Sequence, residues 1–188
     1  VLGVILIAVI TFGTGVVGRL LPGGVVPAED MGYLFVNVQL PDAASLQRSD
    51  AVTKKVESII KRHDEVTYVT TATGFSMLSG SMGTNSGFLF VSLKDWDMRQ
   101  RTAKEVINAL NRDFFMEINE AQVFAFGPPA IPGLGSGSGF TFMLQDRSGN
   151  TPDYLGHQAA NFIKEAQKRP EIGSIFTTFR PTVAQKLI

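Results

Sequence analysis

The chain contains no cysteine. That absence excludes disulfides and thiolate metal sites, while suiting a reduced cytoplasm and a bacterial periplasm equally well. Histidine is nearly as scarce, since His63 and His157 are the only two. They lie on different helix faces with no nucleophile nearby, and His63, lacking a second ligand at metal spacing, reads as a solvated helix-end residue. An excess of charge of either sign is missing as well, because 17 Lys+Arg balance 17 Asp+Glu. With no basic run and no interleaved aromatics, the electrostatic footprint of a nucleic-acid binder is absent.

Catalytic motifs fail in the same way. Gly133 to Gly139 reads GLGSGSG, which lacks the GxGxxG spacing and leads into a predicted strand, so it serves as a hinge rather than a phosphate cradle. Gly74-Phe75-Ser76 has Leu78 where a nucleophile elbow needs its second glycine. No carboxylate pair stands out. The residues point away from an enzyme and call for neither a cofactor nor a metal.

What the chain does have begins at its first residue. VLGVILIAVITFGTGVVG is apolar from Val1 to Gly18, with Thr11 and Thr14 as the only mild polar breaks before Arg19. At about 1.5 Å per helical residue it nearly spans a hydrocarbon core of roughly 30 Å. Gly3, Gly13 and Gly15 suit a membrane helix, where small residues allow close packing. A signal peptide with a cleavage site near Val26-Pro27-Ala28 is the rival, opposed by Arg19 and by the uncharged start. The start inside an apolar run, without methionine, leads us to expect a fragment.

Leu21-Pro22-Gly23-Gly24 ends that helix, and Tyr33 to Leu40 then alternates as a strand. Ser45 is the expected N-cap of a helix carrying Val52, Val56, Ile59 and Ile60. Val66 to Thr73 and Phe88 to Leu93 read as strands. Thr102 and Glu105 form a capping-box pattern ahead of Val106, Leu110 and Phe114, and Ala121 to Phe126 is a further strand. The order is β-α-β-β-α-β, the split βαβ or ferredoxin-like arrangement of an α+β domain. After the breaker-rich PPAIPGLGSGSG, Gly139 to Gln145, a helix from Thr151-Pro152 to Pro170, and Gly173 to Phe179 predict a partial second β-α-β unit.

Two features carry the functional expectation. The stretch from Gly74 to Asn85 is predicted as a Gly/Ser loop bearing Phe75, Met77, Leu78 and Met82, longer and more apolar than an ordinary hairpin turn. It is either a flap over something greasy or a surface loop with its own hydrophobes tucked beneath. Alternation also sorts the sheet into two faces. One is aliphatic, with Leu34, Val36, Val38, Val69, Leu89, Val91, Leu93, Val123 and Ala125, and suits the helices. The other carries Phe35, Asn37, Gln39, Tyr68, Thr70, Phe88, Phe90, Ser92, Gln122, Phe124 and Phe126. Such an aromatic wall with scattered polar groups is either a small-molecule surface or a face covered by another domain.

Three runs follow one another along the chain: LPGGVVPAEDMGYLFVNVQLP (Leu21 to Pro41), FVSLKDW (Phe90 to Trp96) and VFAFGPPAI (Val123 to Ile131). In that order they resemble the resistance-nodulation-division multidrug efflux pumps of Gram-negative inner membranes, hydrophobe/amphiphile branch, over essentially the whole chain. The resemblance implies a transmembrane helix in 1–22, a connector in 23–32, a first porter subdomain in 33–131, a Gly/Ser hinge in 132–138 and a partial second porter subdomain in 139–188. It implies that Gly74, Phe75, Ser76, Met77, Leu78, Gly80, Met82 and Gly83 belong to a switch loop between two drug pockets. Substrate-contacting positions would be Phe35, Asn37, Gln39, Thr70, Phe75, Met77, Phe90, Phe124, Phe126, Pro128 and Arg180.

By the same resemblance the parent protein is a proton-driven, multi-pass inner-membrane homotrimer. It takes amphiphilic small molecules from the periplasm and membrane lipid and works with a periplasmic adaptor protein and an outer-membrane channel. The proton-relay carboxylates would lie outside this chain. Thr70 and Met77 stand where aromatic residues are usual, and resemblance fades after Thr182. A heavy-metal-exporting branch, with Met77 and Met82 as soft ligands, is one alternative. A membrane-anchored periplasmic interaction domain is the other.

Overall fold

The computed structural model describes residues 2–20, 29–129, 142–170, 172, 175, 177, 179 and 181. The first element, α1 (Leu2–Leu20), is a helix of 19 residues, long and apolar enough to cross a membrane, and none of its Leu2–Arg19 window is buried. The Thr14 hydroxyl donates to the Ile10 carbonyl at 2.9 Å, so this polar break is satisfied within the helix itself.

The α+β unit follows as β1 (Tyr33–Gln39), α2 (Leu46–Ile60), β2 (Val66–Ser76), β3 (Ser81–Leu93), α3 (Ala103–Glu117) and β4 (Gln122–Phe126). The sheet order is β2-β3-β1-β4 with every neighbouring pair antiparallel. This is the expected ferredoxin-like arrangement. Both helix starts are where their capping residues place them. Ser45 Oγ accepts from Arg48 N, and Thr102 with Glu105 makes a full capping box.

The two faces of the sheet follow the alternation. Leu34, Val36, Val38, Leu89, Val91, Leu93 and Ala125 are buried in one cluster with Val52, Val56, Ile59 and Ile60 of α2 and Val106, Leu110 and Phe114 of α3. Val69 and Val123 pack against its margin. Truncating a residue such as Leu110, which is fully buried, removes both transfer energy and packing, at about 2 to 5 kcal/mol.

Three expectations need correction. The Gly74 to Asn85 stretch is mostly strand, since β2 runs to Ser76 and β3 starts at Ser81, leaving only Met77–Gly80 as the turn. Small polar residues and glycine have loop composition, but the pairs Phe75↔Met82 and Ser76↔Ser81 satisfy the backbone regardless of propensity. Gly80, at φ +62°, supplies the left-handed residue the turn requires.

His63 is not solvated. Its side chain is 10% exposed, with Nε2 2.9 Å from Asp113 Oδ2 and Nδ1 3.4 Å from the Arg101 guanidinium. Arg101 in turn grips both Glu65 oxygens, at 2.5 and 2.6 Å. The periodicity of a single helix cannot reveal this, because the partners come from α3 and from the segment before it.

In the segment expected to begin a second unit, α4 (Pro152–Ala166) forms with Thr151 as its N-cap and proline in the first turn. The flanking strands do not appear at the described residues 142–145, 175, 177 and 179; the remainder of both segments lies outside the described residues. A strand exists only where a neighbour takes up its N–H and C=O groups, and no described residue pairs with either segment.

Candidate functional site

The face of the sheet opposite the helices is built by cross-strand registry. Phe35 on β1 sits directly opposite Phe90 on β3 and Phe126 on β4, while Asn37 sits opposite Phe88 and Phe124. Side chains on adjacent antiparallel strands share a face, so a period of two in each strand stacks the rings into rows. Phe35 is the hub. Its ring centroid lies 5.6 Å from Tyr33, 5.5 Å from Phe88, 5.9 Å from Phe90 and 5.7 Å from Phe126, all within the favourable aromatic range.

Around that hub the outer rings are more accessible. Phe90 is 37% exposed and stacks on Tyr33 at 5.3 Å, Phe124 meets Phe126 at 5.8 Å, and Phe75 stands edge-on to Phe88 at 6.3 Å. Tyr68 is largely exposed on β2, an edge strand of the sheet. The result is an open apolar surface rather than an enclosed cavity. A shallow hollow of about 530 Å³ lies beside Thr67, Tyr68, Ser92 and Met98, while another of about 320 Å³, beside Leu46, Asp50 and Thr73, lies on the helix side of the sheet.

One end of the wall is polar. Gln39 donates its amide to the Asn85 carbonyl at 3.1 Å and to Leu40 O at 3.3 Å, and Ser86 Oγ donates to Gln39 Oε1 at 3.4 Å. The Gln39 side chain is therefore committed to holding β3 against β1. Asn37 is buried beneath the rings, at 4% exposure.

At the other end the segment before β1 is fixed by Asp30. Its carboxylate accepts from Arg99 Nη2, from Gly32 N and from Ala103 N. Burial alone would raise this carboxyl, but Arg99 and the two backbone donors outweigh it and lower it from 3.8 to about 2. Trp96 Nε1 donates to the Asp30 carbonyl at 3.1 Å, which leaves the indole ring exposed above the junction. On the helix side, Arg101 holds the Glu65 carboxyl below its usual range against the opposing effect of burial.

The predicted site residues divide by position. Phe35, Asn37, Phe90, Phe124, Phe126, Phe75 and Thr70 are all brought to or beside the wall, with Thr70 directly opposite Phe90 on its exposed edge. Phe35 and Asn37 offer little surface, because their neighbours cover them. Met77 and Leu78 are half-buried in the turn, Met82 is exposed beside it, and Pro128 is half-buried just beyond β4. Arg180 lies outside the described residues. Tyr33 and Phe88 are absent from the expected contacts, although their rings complete the wall and their alternation with Phe35 and Phe90 marks them in the sequence. Among the described residues, no three His, Asp or Glu side chains gather as a metal site.

Comparison with known proteins extends over the same residues. The AcrB/AcrD/AcrF family model matches residues 1–188. The chain is 32% identical over 180 residues, 91% of its length, to the toluene efflux pump membrane transporter TtgE of Pseudomonas putida. It is 31% identical over 175 residues, 88% of its length, to the solvent-resistant pump membrane transporter SrpB of the same species. To the multidrug export protein AcrF of Escherichia coli it is 34% identical over 157 residues, 81% of its length. It spans 14 to 16% of the length of these relatives.

Proposed function

The chain belongs to the AcrB/AcrD/AcrF family, and from that premise we propose that it forms part of the drug path of a proton-driven inner-membrane efflux transporter. The observation that carries this reading is the open aromatic wall centred on Phe35 and bounded by Phe90, Phe124 and Phe126. A surface of rings with few fixed polar groups takes up amphiphilic molecules by area and shape rather than by one hydrogen-bond pattern, which suits a broad substrate range. The names of the relatives, which refer to toluene, solvents and multiple drugs, agree with such a range.

In this reading α1 crosses the inner membrane and residues 33–131 form a porter subdomain in the periplasm. Residues 139–188 begin a second one, and 132–138 join the two as a hinge. The β2–β3 hairpin tip from Gly74 to Gly83 acts as the switch element, with Phe75 and Met77 facing the path and Pro128 at its entrance. Arg180 is assigned to the path by family likeness alone. The complete protein works as a homotrimer, draws substrate from the periplasm and the lipid leaflet, and passes it through a periplasmic adaptor to an outer-membrane channel. It performs no covalent chemistry on its cargo.

The test is contact mapping in the complete transporter. An amphiphilic photoreactive dye should label peptides holding Phe88, Phe90, Phe124 and Phe126, and unlabelled dye should compete that labelling away. Labelling confined to the helix side, on α2 and α3, would refute the assignment.

A further inference from the structure

The β2–β3 hairpin changes register at its neck. Thr73 pairs with Gly87, but Phe75 pairs with Met82, so two steps along β2 are matched by five along β3. The intervening residues Gly83 to Ser86, four against the single Gly74, leave the β2 ladder in an arch while Ser86 stays paired with Gln39 of β1, as bulges do where a strand must bend. Opposite them Gly74 adopts φ +87°, a backbone state that favours glycine.

The arch is held from outside the hairpin. Ser49, fully buried on α2, donates its hydroxyl to the Thr84 carbonyl at 2.5 Å. Leu40 N donates to Asn85 O at 2.8 Å, and Asn85 Nδ2 donates back to Leu40 O at 3.4 Å. Thr53, one turn further along α2 and also fully buried, donates to the Ser49 carbonyl at 2.6 Å. It packs so closely on Gly87 that a Cβ there would meet its Oγ1 at 2.9 Å. The tip beyond the arch is carried on the two strands, through the pairs Phe75↔Met82 and Ser76↔Ser81.

We propose that the Gly83–Ser86 arch is the hinge of the hairpin and that Ser49 is its positioning residue, its bond to Thr84 setting the angle at which the tip lies over the aromatic wall. This rests on the reading of the hairpin as a switch element. A bulge with one side-chain tether to a helix has two ready states, tether made and tether broken, whereas an uninterrupted ladder has one. Ser49 belongs to the helix layer, on the side of the sheet away from the wall, so it acts only through the arch.

The experiment is pulsed electron–electron spin spectroscopy on the complete transporter, with one nitroxide at Ser79 on the tip and one at Lys104 on α3. A control pair joins Thr67 and Lys104, which the arch does not separate. Ser49→Ala should broaden or shift the Ser79 distances and leave the control pair unchanged, with tip populations moving roughly five-fold, as expected for the loss of one ordinary hydrogen bond. Ser49→Thr, which keeps the hydroxyl, should restore the wild-type distribution. Ser49→Cys, similar in volume but a weak donor, should fall between them and serves if the alanine variant does not fold. A Ser79 distribution unchanged in both Ser49→Ala and Ser49→Cys would overturn the hinge. Altered tip distances with undiminished efflux of both bulky and small dyes would uphold the hinge while removing the switch function assigned to the tip.

Discussion

Arg99 donates from Nη2 to Asp30 Oδ1 at 2.6 Å, joining the segment that enters β1 to the turn that leaves β3. The Arg99 side chain is only 2% exposed, and its other donors reach the carbonyls of Lys94 and Arg101. Asp30 therefore neutralises a buried cation and also caps the Gly32 and Ala103 amides. Residues 21–28 separate the end of α1 from Glu29 and Asp30.

Replacing Asp30 by asparagine should destabilise the domain by roughly 2 kcal/mol, the free energy matching a carboxyl lowered from 3.8 to about 2. The folded value lies below the unfolded one, so this stabilisation is present above the ordinary carboxyl pKa and is lost as pH falls towards 2. Melting temperature should therefore show no step from this group between neutral pH and about pH 5. A wild-type step in that interval that Asp30→Asn abolishes would contradict the assignment.

Gly80 should tolerate asparagine and resist valine. At φ +62° the turn residue sits in the left-handed region, which asparagine visits and β-branched residues avoid. No described residue lies within 4 Å of the place a Cβ would take at Gly80, so the difference would come from backbone preference rather than crowding. Gly80→Val should cost about 1 to 2 kcal/mol more than Gly80→Asn, measured by hydrogen exchange of the Ser76 to Ser81 amides. Equal protection in the two variants would rule out the left-handed turn.

The parts of this chain that are legible in the sequence are those written in local periods. Leu34, Val36 and Val38 alternate with Phe35 and Asn37, and that period alone sorts the core from the wall. Ser45, Thr102 and Thr151 signal helix starts through chemistry that acts within one turn. What stays hidden depends on partners distant in sequence. His63 meets Asp113, Ser49 meets Thr84, and Arg99 meets Asp30 only after the sheet has closed. The Ser81 to Ser86 residues have loop composition and become strand and arch because Phe75, Leu40 and α2 supply their partners.

If α1 crosses the membrane, the residues after it lie on one side. Cysteines introduced singly at Lys104 and Ser148, both exposed, should react with a membrane-impermeant maleimide in cells whose outer membrane alone is permeabilised. Reaction only after the inner membrane is breached would reverse the orientation. Residues 1–188 contribute no background label, since they include no cysteine, and a parallel sample without the introduced cysteine sets the background from the rest of the complete protein.

The wall makes a sharper prediction about Phe35 and Phe90, neighbours with opposite exposure. Phe35 is 7% exposed and ringed by four aromatic partners, so alanine there leaves a cavity that the surrounding rings cannot fill. That loss should be about 3 to 5 kcal/mol, with lower protein levels and uniformly weaker efflux. Phe90 is 37% exposed at the open side, so its truncation removes contact area offered to a ligand more than packing within the sheet. A fully buried side chain contributes about 1.5 to 3 kcal/mol, and a broad wall shares the loss among Tyr33, Phe88 and Phe126. Phe90→Ala should therefore leave the melting temperature close to wild type and weaken efflux of some dyes and antibiotics but not others. Combining it with Phe126→Ala should deepen that selective defect. Should Phe90→Ala instead destabilise the protein as much as Phe35→Ala and impair every substrate equally, the wall is a buried packing surface and not part of the drug path.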